Sequence, residues 1–440
     1  MAAPQQAEAF VRWFRQVAPY VHDFGGRTFV VAFGGEMLTD HARFASFVHD
    51  LNVLAALEIR LVLVHGARPQ IEAELKARGV RSRYAQGLRI TDERALQAVK
   101  GAAGVLRVEL EAQLSQGLPD SPMARAQIRV ASGNYITARP IGVRKGVDFQ
   151  FTGAVRKVDA AAITSHLDVG DIVVVTHLGY SPTGEVFNLA WEDVAENVSV
   201  ALKADKLLMY TDRLPEDRKG EVVSELTAEE AEMLAGRKSN LTPAAMRALE
   251  HAARAVSAGV ARGHLVTRRA AGSLLLELFT HAGVGTMITS DTLEKLRPAR
   301  IEDVRGILAL IEPLEAEGTL VKRSRELLEA EIGNFLVVEH DGAIAGCAAL
   351  YPFMEEKGAE FACLAVAPQY RDAGYGEQLL KACEENAKKL KLKRLFALTT
   401  HTAHWFLEQG FRASEPSALP SRRQALYNWR RNSKVFLKRL

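Results

Sequence analysis

The sequence predicts an α/β protein of two domains: a large αβα sandwich with a largely parallel sheet, followed by a smaller α+β domain. Three observations support this prediction. The first part of the chain alternates buried strands and helices through Gly-containing turns, which is typical of parallel sheets. After residue 290 a different pattern starts, with a hairpin and then a strand–helix–strand unit. At 440 residues the chain also exceeds the size of one ordinary domain.

The elements of the first domain follow from short apolar runs. A glycine and then a helical pattern come after each of the first two runs, as expected for βαβ units. Buried strands are predicted at 28–33, 60–65, 171–176 and 206–211. We therefore place the first domain at residues 1–287, a linker at 288–298 and the second domain at 299–440.

An amphipathic helix is predicted to precede the first strand. Residues 8–22 carry an apolar stripe at i, i+3, i+4 and i+7 that includes Phe10, Trp13 and Phe14. This aromatic stripe either packs on its own domain or is exchanged between subunits, and the pattern is compatible with both.

The charge of the chain is nearly balanced but unevenly distributed. Lys plus Arg is 56 and Asp plus Glu is 53, a formal net charge of +3, which argues against a nucleic-acid-binding protein. Residues 421–440 contain seven basic residues and no acidic one. This basic tail either solubilises a terminal strand or binds an anionic substrate.

The three cysteines have no CxxC spacing, so neither a disulfide framework nor a metal site is predicted. The sequence lacks an apolar run of roughly 18 residues, the length that spans a bilayer. We expect a reducing, cytoplasmic compartment and no nucleic-acid or membrane partner.

The strongest chemical motif lies in the second domain, where an apolar strand leads through a glycine-containing loop into a helix. Arg371, Gly374 and Gly376 form an R-x-x-G-x-G pattern at this junction. Glycines allow close approach of an anion, and the free N–H groups of a helix N-terminus suit a pyrophosphate. The segment resembles motif A of the Gcn5-related N-acetyltransferases (GNAT family), and the resemblance extends to residues 296–304 and 405–411.

This resemblance implies an acetyltransferase that uses acetyl-CoA as co-substrate and no metal. It implies that the strand binds the pantetheine arm through its backbone and that the loop surrounds the pyrophosphate. The implied acetyl-CoA residues are Cys363, Leu364, Ala365, Val366, Gln369, Arg371, Gly374, Tyr375, Gly376 and Glu377.

Acetyl transfer to an amine needs a base and a proton for the leaving thiolate. The resemblance suggests Glu360 as the general base, although an ordinary edge-strand glutamate is an equal alternative. Thr399, or its neighbour Thr400, could supply the hydroxyl for the thiolate. Direct transfer needs no acyl-enzyme, so Cys363 is expected to contribute backbone contacts only.

The first domain resembles the amino-acid kinase family, and N-acetylglutamate kinases in particular, in its segments 30–35, 64–71, 87–92 and 277–280. Two departures are important. That family has a phosphate-binding lysine where this chain has Ala32, and Ala190 replaces an asparagine of another motif. Phosphoryl transfer depends on positioned positive charge, so we expect no kinase activity.

The same resemblance implies a regulatory role for the first domain. In arginine-inhibited members of that family, the N-terminal helix interlaces dimers into a hexamer, and L-arginine binds beside it. The matching positions for an allosteric arginine site are Tyr20, Glu277, Gly283 and Gly285. A carboxylate is a suitable partner for the guanidinium, although Glu277 could also be an ordinary surface glutamate.

A degenerate kinase-like domain followed by an acetyltransferase domain resembles the bacterial N-acetylglutamate synthase family of amino-acid N-acetyltransferases. The implied reaction is acetyl transfer from acetyl-CoA to the α-amine of L-glutamate, the first step of arginine biosynthesis, with L-arginine as feedback inhibitor. The alternatives are a bifunctional synthase and kinase, or a non-catalytic arginine-sensing regulator.

Arginines are suited to hold the two carboxylates of glutamate. The resemblance places the glutamate site at Lys322, Arg323, Cys363, Arg422, Arg431 and Ser433. The adjacent Arg423 and Arg430 are open alternatives, because sequence does not determine which neighbour faces inward.

Overall fold

The computed structural model describes residues 4–115, 128–236, 239–280, 283–291, 294–371, 373–429 and 431–440. The chain divides into two compact units, Met1–Asp291 and Thr292–Leu440. Arg430, one of the alternatives for glutamate binding, lies outside the described residues. Within the described ranges, no helix is long and apolar enough to span a membrane.

The first unit contains sixteen described strands. They are β1 Thr28–Phe33, β2 Arg60–His65, β3 Tyr84–Ala85, β4 Leu88–Arg89, β5 Val130–Ser132, β6 Ile136–Pro140, β7 Val143–Arg144, β8 Val147–Asp148, β9 Gly153–Val158, β10 Ile172–Thr176, β11 Leu178–Tyr180, β12 Val186–Asn188, β13 Lys206–Thr211, β14 Glu225–Thr227, β15 Arg262–Thr267 and β16 Thr286–Thr289.

Eight of these strands form one sheet in the order β14-β16-β15-β13-β1-β2-β10-β5. All its neighbours are parallel except the β15–β16 pair. A second sheet has the order β12-β11-β6-β9, and β3–β4 and β7–β8 are short hairpins.

Helices cover both faces of the large sheet. They are α1 Pro4–Phe24, α2 His41–Ala56, α3 Arg68–Ala77, α4 Glu93–Leu114, α5 Ala160–Asp168, α6 Trp191–Leu202, α7 Ala228–Ala235, α8 Pro243–Ser257 and α9 Ser273–Phe279, with a 3-10 helix at Gly35–Thr39. Along β1, Phe29 and Val31 belong to one buried cluster, whereas Val30 and Ala32 belong to the other. This alternation explains why the strand is apolar throughout, because both of its faces are buried.

The second unit is a seven-stranded sheet in the order β17-β18-β19-β20-β21-β23-β22. Its strands are β17 Glu294–Pro298, β18 Phe335–His340, β19 Ala343–Phe353, β20 Gly358–Val366, β21 Arg394–Thr399, β22 Arg412–Ser414 and β23 Lys434–Arg439. Its helices are α10 Val304–Ala316, α11 Arg325–Glu331, α12 Tyr375–Lys389, α13 Ala403–Glu408 and α14 Ser421–Ala425, with 3-10 helices at Ile301–Asp303, Ile332–Asn334, Pro368–Tyr370 and Pro416–Ala418.

The predicted fold class is confirmed, and the main strands of the large sheet are placed within one residue of their predicted bounds. The segment 288–298 differs from the prediction of a linker. Its last residues form β17, which pairs antiparallel with β18 from Glu294 to Pro298. Three of the five residues of β17 are charged, so its sequence lacks the continuous apolar run of a buried strand.

Candidate active site

The candidate active site begins where two neighbouring strands of the second unit diverge. Strands β20 and β21 are parallel and pair over three residues only, from Gly358–Arg394 to Glu360–Phe396. Beyond that point β20 continues on β19 as far as Val366, whereas β21 continues on β23 as far as Thr399. A wedge therefore opens between the two strands, and the β20 edge facing it has backbone groups available for an amide-containing ligand.

Cys363 lies at an irregularity of the strand that borders this wedge. Its φ of 55° is left-handed, and the β19–β20 register shifts between Ala362 and Ala365. The Cys347 thiol donates to the Cys363 carbonyl at 3.6 Å. Burial raises the pKa of the Cys363 thiol to about 12, so it is protonated at neutral pH and poorly suited to nucleophilic attack.

The glycine-containing loop leads from β20 to the N-terminus of the 15-residue helix α12. Gly374 is the residue before this helix and has a φ of +78°. Such a conformation strongly favours glycine. Arg371 and Gln369 are exposed beside it. The loop therefore combines free helix N–H groups with one exposed guanidinium, as an anion site requires.

Two of the residues that were predicted to bind acetyl-CoA direct their side chains to other protein groups. Tyr375 is buried, and its hydroxyl lies 2.9 Å from Nδ1 of His340. The Glu377 carboxylate accepts from Gln409 at 3.3 Å. Tyr375 can therefore offer an anion only its backbone N–H group, whereas the backbone N–H of Glu377 already donates to the Gly374 carbonyl at 3.1 Å.

Glu360 occupies the point where the strands part, and its carboxylate has a strong partner. The guanidinium of Arg423 donates to both of its oxygens, from Nε at 2.6 Å and from Nη2 at 3.0 Å. The predicted Arg422 is instead exposed. The two neighbours lie on the short helix α14, where successive side chains point about 100° apart, so only one of them can face this carboxylate.

The two threonines after β21 have different environments. The Thr399 hydroxyl accepts from the backbone N–H of His401 at 3.2 Å and of Thr402 at 3.1 Å, and it lies 2.9 Å from the Thr402 hydroxyl. It therefore stabilises the turn after the strand. The Thr400 hydroxyl is buried without a hydrogen-bond partner. Of the two, Thr400 has the hydroxyl that is available to a ligand.

The guanidiniums of Arg431 and Arg323 interact electrostatically. Nη2 of Arg431 donates to the carbonyls of Gly318 at 3.1 Å and Thr319 at 2.6 Å, whereas its buried Nε has no partner. Burial and the positive charge of Arg323 lower the pKa of Arg431. Two nearby, partly buried guanidiniums repel each other, so this pair favours binding of an anion.

Arg323 connects this pair to the strand edge. Burial alone would lower the pKa of Arg323, but interactions with Cys363, Tyr351 and Glu360 outweigh burial and raise that pKa. All three residues therefore lie near the Arg323 guanidinium. Tyr351 pairs with Glu360 in the β19–β20 ladder, and its hydroxyl donates to Glu331 at 2.8 Å. Sequence reasoning missed Tyr351. Strand register, which places it opposite Glu360, is the information that would have found it.

Two residues that were predicted to bind the substrate glutamate remain, Lys322 and Ser433. Lys322 is exposed. Ser433 is buried at the start of the last strand, and its carbonyl accepts from the Tyr427 hydroxyl at 2.6 Å.

The predicted arginine site in the first unit also has internal partners. Glu277 is buried, and its oxygens accept from the N–H groups of Val284 at 2.8 Å and Gly285 at 2.7 Å and contact His264 Nδ1 at 2.7 Å. It is therefore not the surface glutamate of the alternative interpretation. A Cβ on Gly283 would lie 2.6 Å from this carboxylate, and one on Gly285 would lie 2.2 Å from the carbonyl of Leu265.

Helix α1 lies close to the Glu277 carboxylate and its partners. The Phe24 ring is 5.6 Å from that of Phe279, and Tyr20 is one turn earlier on α1, 5.9 Å from Phe24. Lys206, which sequence reasoning missed, lies 5.1 Å over the Phe24 ring and 3.5 Å from His264. The region thus combines a carboxylate with a buried amine beside an N-terminal helix.

Residues 8–16 of α1 are exposed. Phe10, Trp13 and Phe14 are 61%, 48% and 57% exposed, whereas Val17 and Phe24 are buried on their own unit. The second half therefore packs on its own unit, and exchange of the helix between subunits stays a prediction. The exposed half forms an aromatic surface of the kind that marks an interaction site.

Comparisons with known proteins identify the families that the two parts of the chain match. Residues 27–266 match the amino acid kinase family, and residues 302–411 match the acetyltransferase (GNAT) family. An amino-acid acetyltransferase of Ralstonia nicotianae is 50% identical over 440 residues, covering 99% of this chain and 96% of the relative. The amino-acid acetyltransferase of Pseudomonas aeruginosa PAO1 is 49% identical over 432 residues, covering 98% of this chain and 99% of the relative.

Solved structures give the same result. The N-acetylglutamate synthase of Neisseria gonorrhoeae, complexed with coenzyme A and L-arginine, matches with a TM-score of 0.87 at 39% identity, covering 98% of this chain and 99% of that one. The same enzyme complexed with coenzyme A and N-acetyl-glutamate matches with a TM-score of 0.62 at the same coverage. With about half of its residues shared over nearly its whole length, this chain belongs to the amino-acid acetyltransferase family and is an acyltransferase enzyme.

Proposed function

We propose that this enzyme transfers the acetyl group of acetyl-CoA to the α-amine of L-glutamate and that L-arginine inhibits it. The observation that carries the proposal is the electrostatic interaction of Arg323 with both Glu360, at the strand wedge, and Arg431, whose buried Nε has no partner among the described residues. Two cations select a dicarboxylate, and the neighbouring carboxylate can accept a proton from its amine. The solved complexes of the Neisseria enzyme with coenzyme A, N-acetyl-glutamate and L-arginine support these ligands.

Acetyl-CoA would bind along the diverging edge of β20. The backbone from Cys363 to Val366 would hydrogen-bond the pantetheine amides, as an added strand would. The pyrophosphate would lie on the loop from Gln369 to Glu377, where Arg371 supplies positive charge and Gly374 permits the turn into α12.

Glutamate would place its carboxylates on the arginines. The Nε of Arg431 has no protein partner, so a carboxylate would satisfy it, with Arg323 as the second cation. Ser433 and Lys322 flank this position in the chain. Arg423, through its contact with Glu360, replaces Arg422 as the tail residue nearest the reacting amine.

The reaction would then proceed by direct attack. Glu360 accepts a proton from the glutamate ammonium, directly or through water, after partial release from Arg423. The amine nitrogen attacks the thioester carbonyl carbon and forms the amide C–N bond as the C–S bond breaks. The nitrogen loses its second proton in this step, and that proton passes to the thiolate of CoA. The free hydroxyl of Thr400 is better placed for that last step than Thr399, which is occupied by its turn.

L-Arginine would bind between α1 and the segment 277–285, as proposed from Tyr20, Glu277, Gly283 and Gly285. Because His264 and two N–H groups already hold Glu277, that carboxylate would bind the guanidinium only by sharing its oxygens. We further propose a hexamer assembled through the exposed half of α1. The three free, buried thiols support a reducing, cytoplasmic location.

Steady-state kinetics test the function directly. We expect CoA release from acetyl-CoA with L-glutamate, a much slower rate with L-aspartate or L-glutamine, and a lower rate when L-arginine is added. ADP formation from ATP and N-acetylglutamate would indicate the bifunctional alternative instead. Absence of CoA release with every amino acid would indicate a non-catalytic regulator.

A further inference from the structure

The loop between β20 and α12 contains two successive turns that share Tyr370. The N–H of Tyr370 donates to the Ala367 carbonyl at 2.9 Å, and the Tyr370 carbonyl accepts from the N–H of Ala373 at 3.1 Å. Gly374 then turns the chain into α12. The shape of the loop therefore depends on Tyr370, and its place on the sheet depends on what holds this residue and the start of the helix.

His340, the last residue of β18, contacts the chain on both sides of this loop. Its ring centre lies 4.8 Å from that of Tyr370, and its Nδ1 lies 2.9 Å from the hydroxyl of Tyr375, the first residue of α12. The rings of the two tyrosines lie 5.4 Å apart. The three rings form one cluster, in which the imidazole links the residue before Arg371 to the residue after Gly374.

The sheet determines the position of the imidazole. Leu336 and Val338 of β18 pack in the same buried cluster as Tyr375. Side chains alternate along a strand, so His340 lies on this same face. The strand is paired on both sides, and His340 itself is paired with Glu294 of β17 and with the first residue of β19. The imidazole is therefore carried by a backbone that two neighbouring strands hold in place.

The hydroxyl of Tyr375 lies within an apolar environment. Tyr375 is 1% exposed, and a buried phenol needs a hydrogen-bond partner, which His340 provides. Because the side chain of Tyr375 is directed at His340, it fixes the start of α12 to β18. A loop that is already held in its binding conformation loses less conformational entropy when its ligand arrives, so this contact favours ligand binding.

We propose that His340 is a positioning residue for acetyl-CoA, which holds Tyr370 and Tyr375 so that the loop between them keeps the shape that receives the pyrophosphate. The inference rests on the proposed binding of the pyrophosphate by this loop. His340 acts through the two tyrosines and does not touch the cofactor. Its removal should therefore impair only those acetyl donors that carry a pyrophosphate.

Two acetyl donors test this role on the full chain. Acetyl-CoA carries the pyrophosphate and S-acetylpantetheine lacks it, so thiol release from each is measured with L-glutamate as acceptor. His340→Ala should raise the KM for acetyl-CoA about tenfold, the scale of a lost hydrogen bond with its ring contacts. It should change kcat/KM for S-acetylpantetheine and the KM for L-glutamate by less than about twofold. Tyr375→Phe, which removes only the hydroxyl, should also raise the KM for acetyl-CoA. His340→Asn keeps a polar atom near the Nδ1 position and should recover part of the loss.

His49→Ala is the control, because it removes an exposed histidine from the first unit and should affect neither donor. Arg371→Ala reports on the loop itself. If Arg371→Ala raises the KM for acetyl-CoA and neither His340→Ala nor Tyr375→Phe does, only the positioning role is overturned. If Arg371→Ala has no effect either, the loop is not the pyrophosphate site, and the proposed cofactor placement fails as well.

Equal losses with the two donors would indicate a general loss of structure and would also overturn the role of His340. Calorimetric titration with CoA gives a second measurement that needs no turnover. A Kd for CoA that rises about tenfold in His340→Ala and recovers in His340→Asn supports the role, and a rise of less than about threefold overturns it.

Discussion

Arg423 binds both carboxylate oxygens of Glu360, at 2.6 and 3.0 Å, at the point where the two central strands of the second unit part. A bidentate guanidinium holds a carboxylate in one orientation. The proposed base is therefore positioned before substrate arrives, and it must exchange part of this contact for the substrate amine.

Glu360→Gln should lower kcat by about 10²–10⁴-fold, because an amide cannot accept the proton of the amine. The KM for glutamate should change much less, since in the proposed site the arginines bind the carboxylates. Glu355→Gln is the control, because Glu355 is an exposed carboxylate nearby. Rates of the two variants that differ by less than threefold would remove Glu360 from the mechanism.

Arg431→Ala should raise the KM for glutamate by about tenfold to a hundredfold, which corresponds to the loss of charge-assisted hydrogen bonds. The KM for acetyl-CoA should stay within about twofold if the guanidinium contacts only the amino acid. Arg439→Ala removes an exposed charge from the last strand and should have no effect. Equal increases in both KM values would contradict the assignment.

Gly374→Ala should raise the KM for acetyl-CoA and destabilise the second unit by about 1–2 kcal/mol, because φ at this position is +78°. Gly333→Ala is the control, since its Cβ would meet open space and its φ is not in the left-handed region. Parallel measurements of KM and urea unfolding separate the two effects. An unchanged KM would exclude the loop from pyrophosphate binding.

The first unit should lose stability on acidification, and His65 should contribute to this loss. Burial lowers its pKa from 6.5 to about 4, so below pH 6.5 the unfolded state takes up a proton that the folded state refuses. The free energy of unfolding should fall by about 2 kcal/mol between pH 7 and pH 5 through this residue alone. Urea unfolding of His65→Gln should show a correspondingly smaller decrease over that interval, and an identical decrease would contradict the linkage.

The variant F10S/W13S/F14S should have a lower molecular mass in solution than the parent, as measured by light scattering after gel filtration. The three rings form an exposed apolar surface on α1, and burying it is the expected driving force of assembly. Met354→Ser removes a comparably exposed apolar side chain from the second unit and should leave the mass unchanged. A parent that is already monomeric would contradict the proposed hexamer.

Sequence reasoning located elements better than side-chain partners. The strands 28–33, 60–65 and 206–211 were predictable because they are apolar on both faces, and the α12 loop because its glycines follow a strand. It could not choose between Arg422 and Arg423, since the rotation of a five-residue helix decides which one meets Glu360.

The partners of Glu277 illustrate the same limit. Val284 and Gly285 are close in sequence, but His264 comes from β15, and Lys206, which contacts His264 and not Glu277, comes from the neighbouring strand β13. Only the strand order brings these groups together. Likewise, nothing in the sequence of Thr399 and Thr400 indicates that the turn uses the first hydroxyl and leaves the second one free.

The burial of the cysteines has a consequence for chemical probing. Cys347, Cys363 and Cys383 are all free and buried in the second unit, and burial raises the pKa of each. An alkylating reagent reacts with the exposed thiolate, so it can modify them only when that unit opens. The rate of thiol labelling then measures how readily the acetyltransferase unit opens. A lower rate with CoA present would measure how strongly the cofactor stabilises the closed unit.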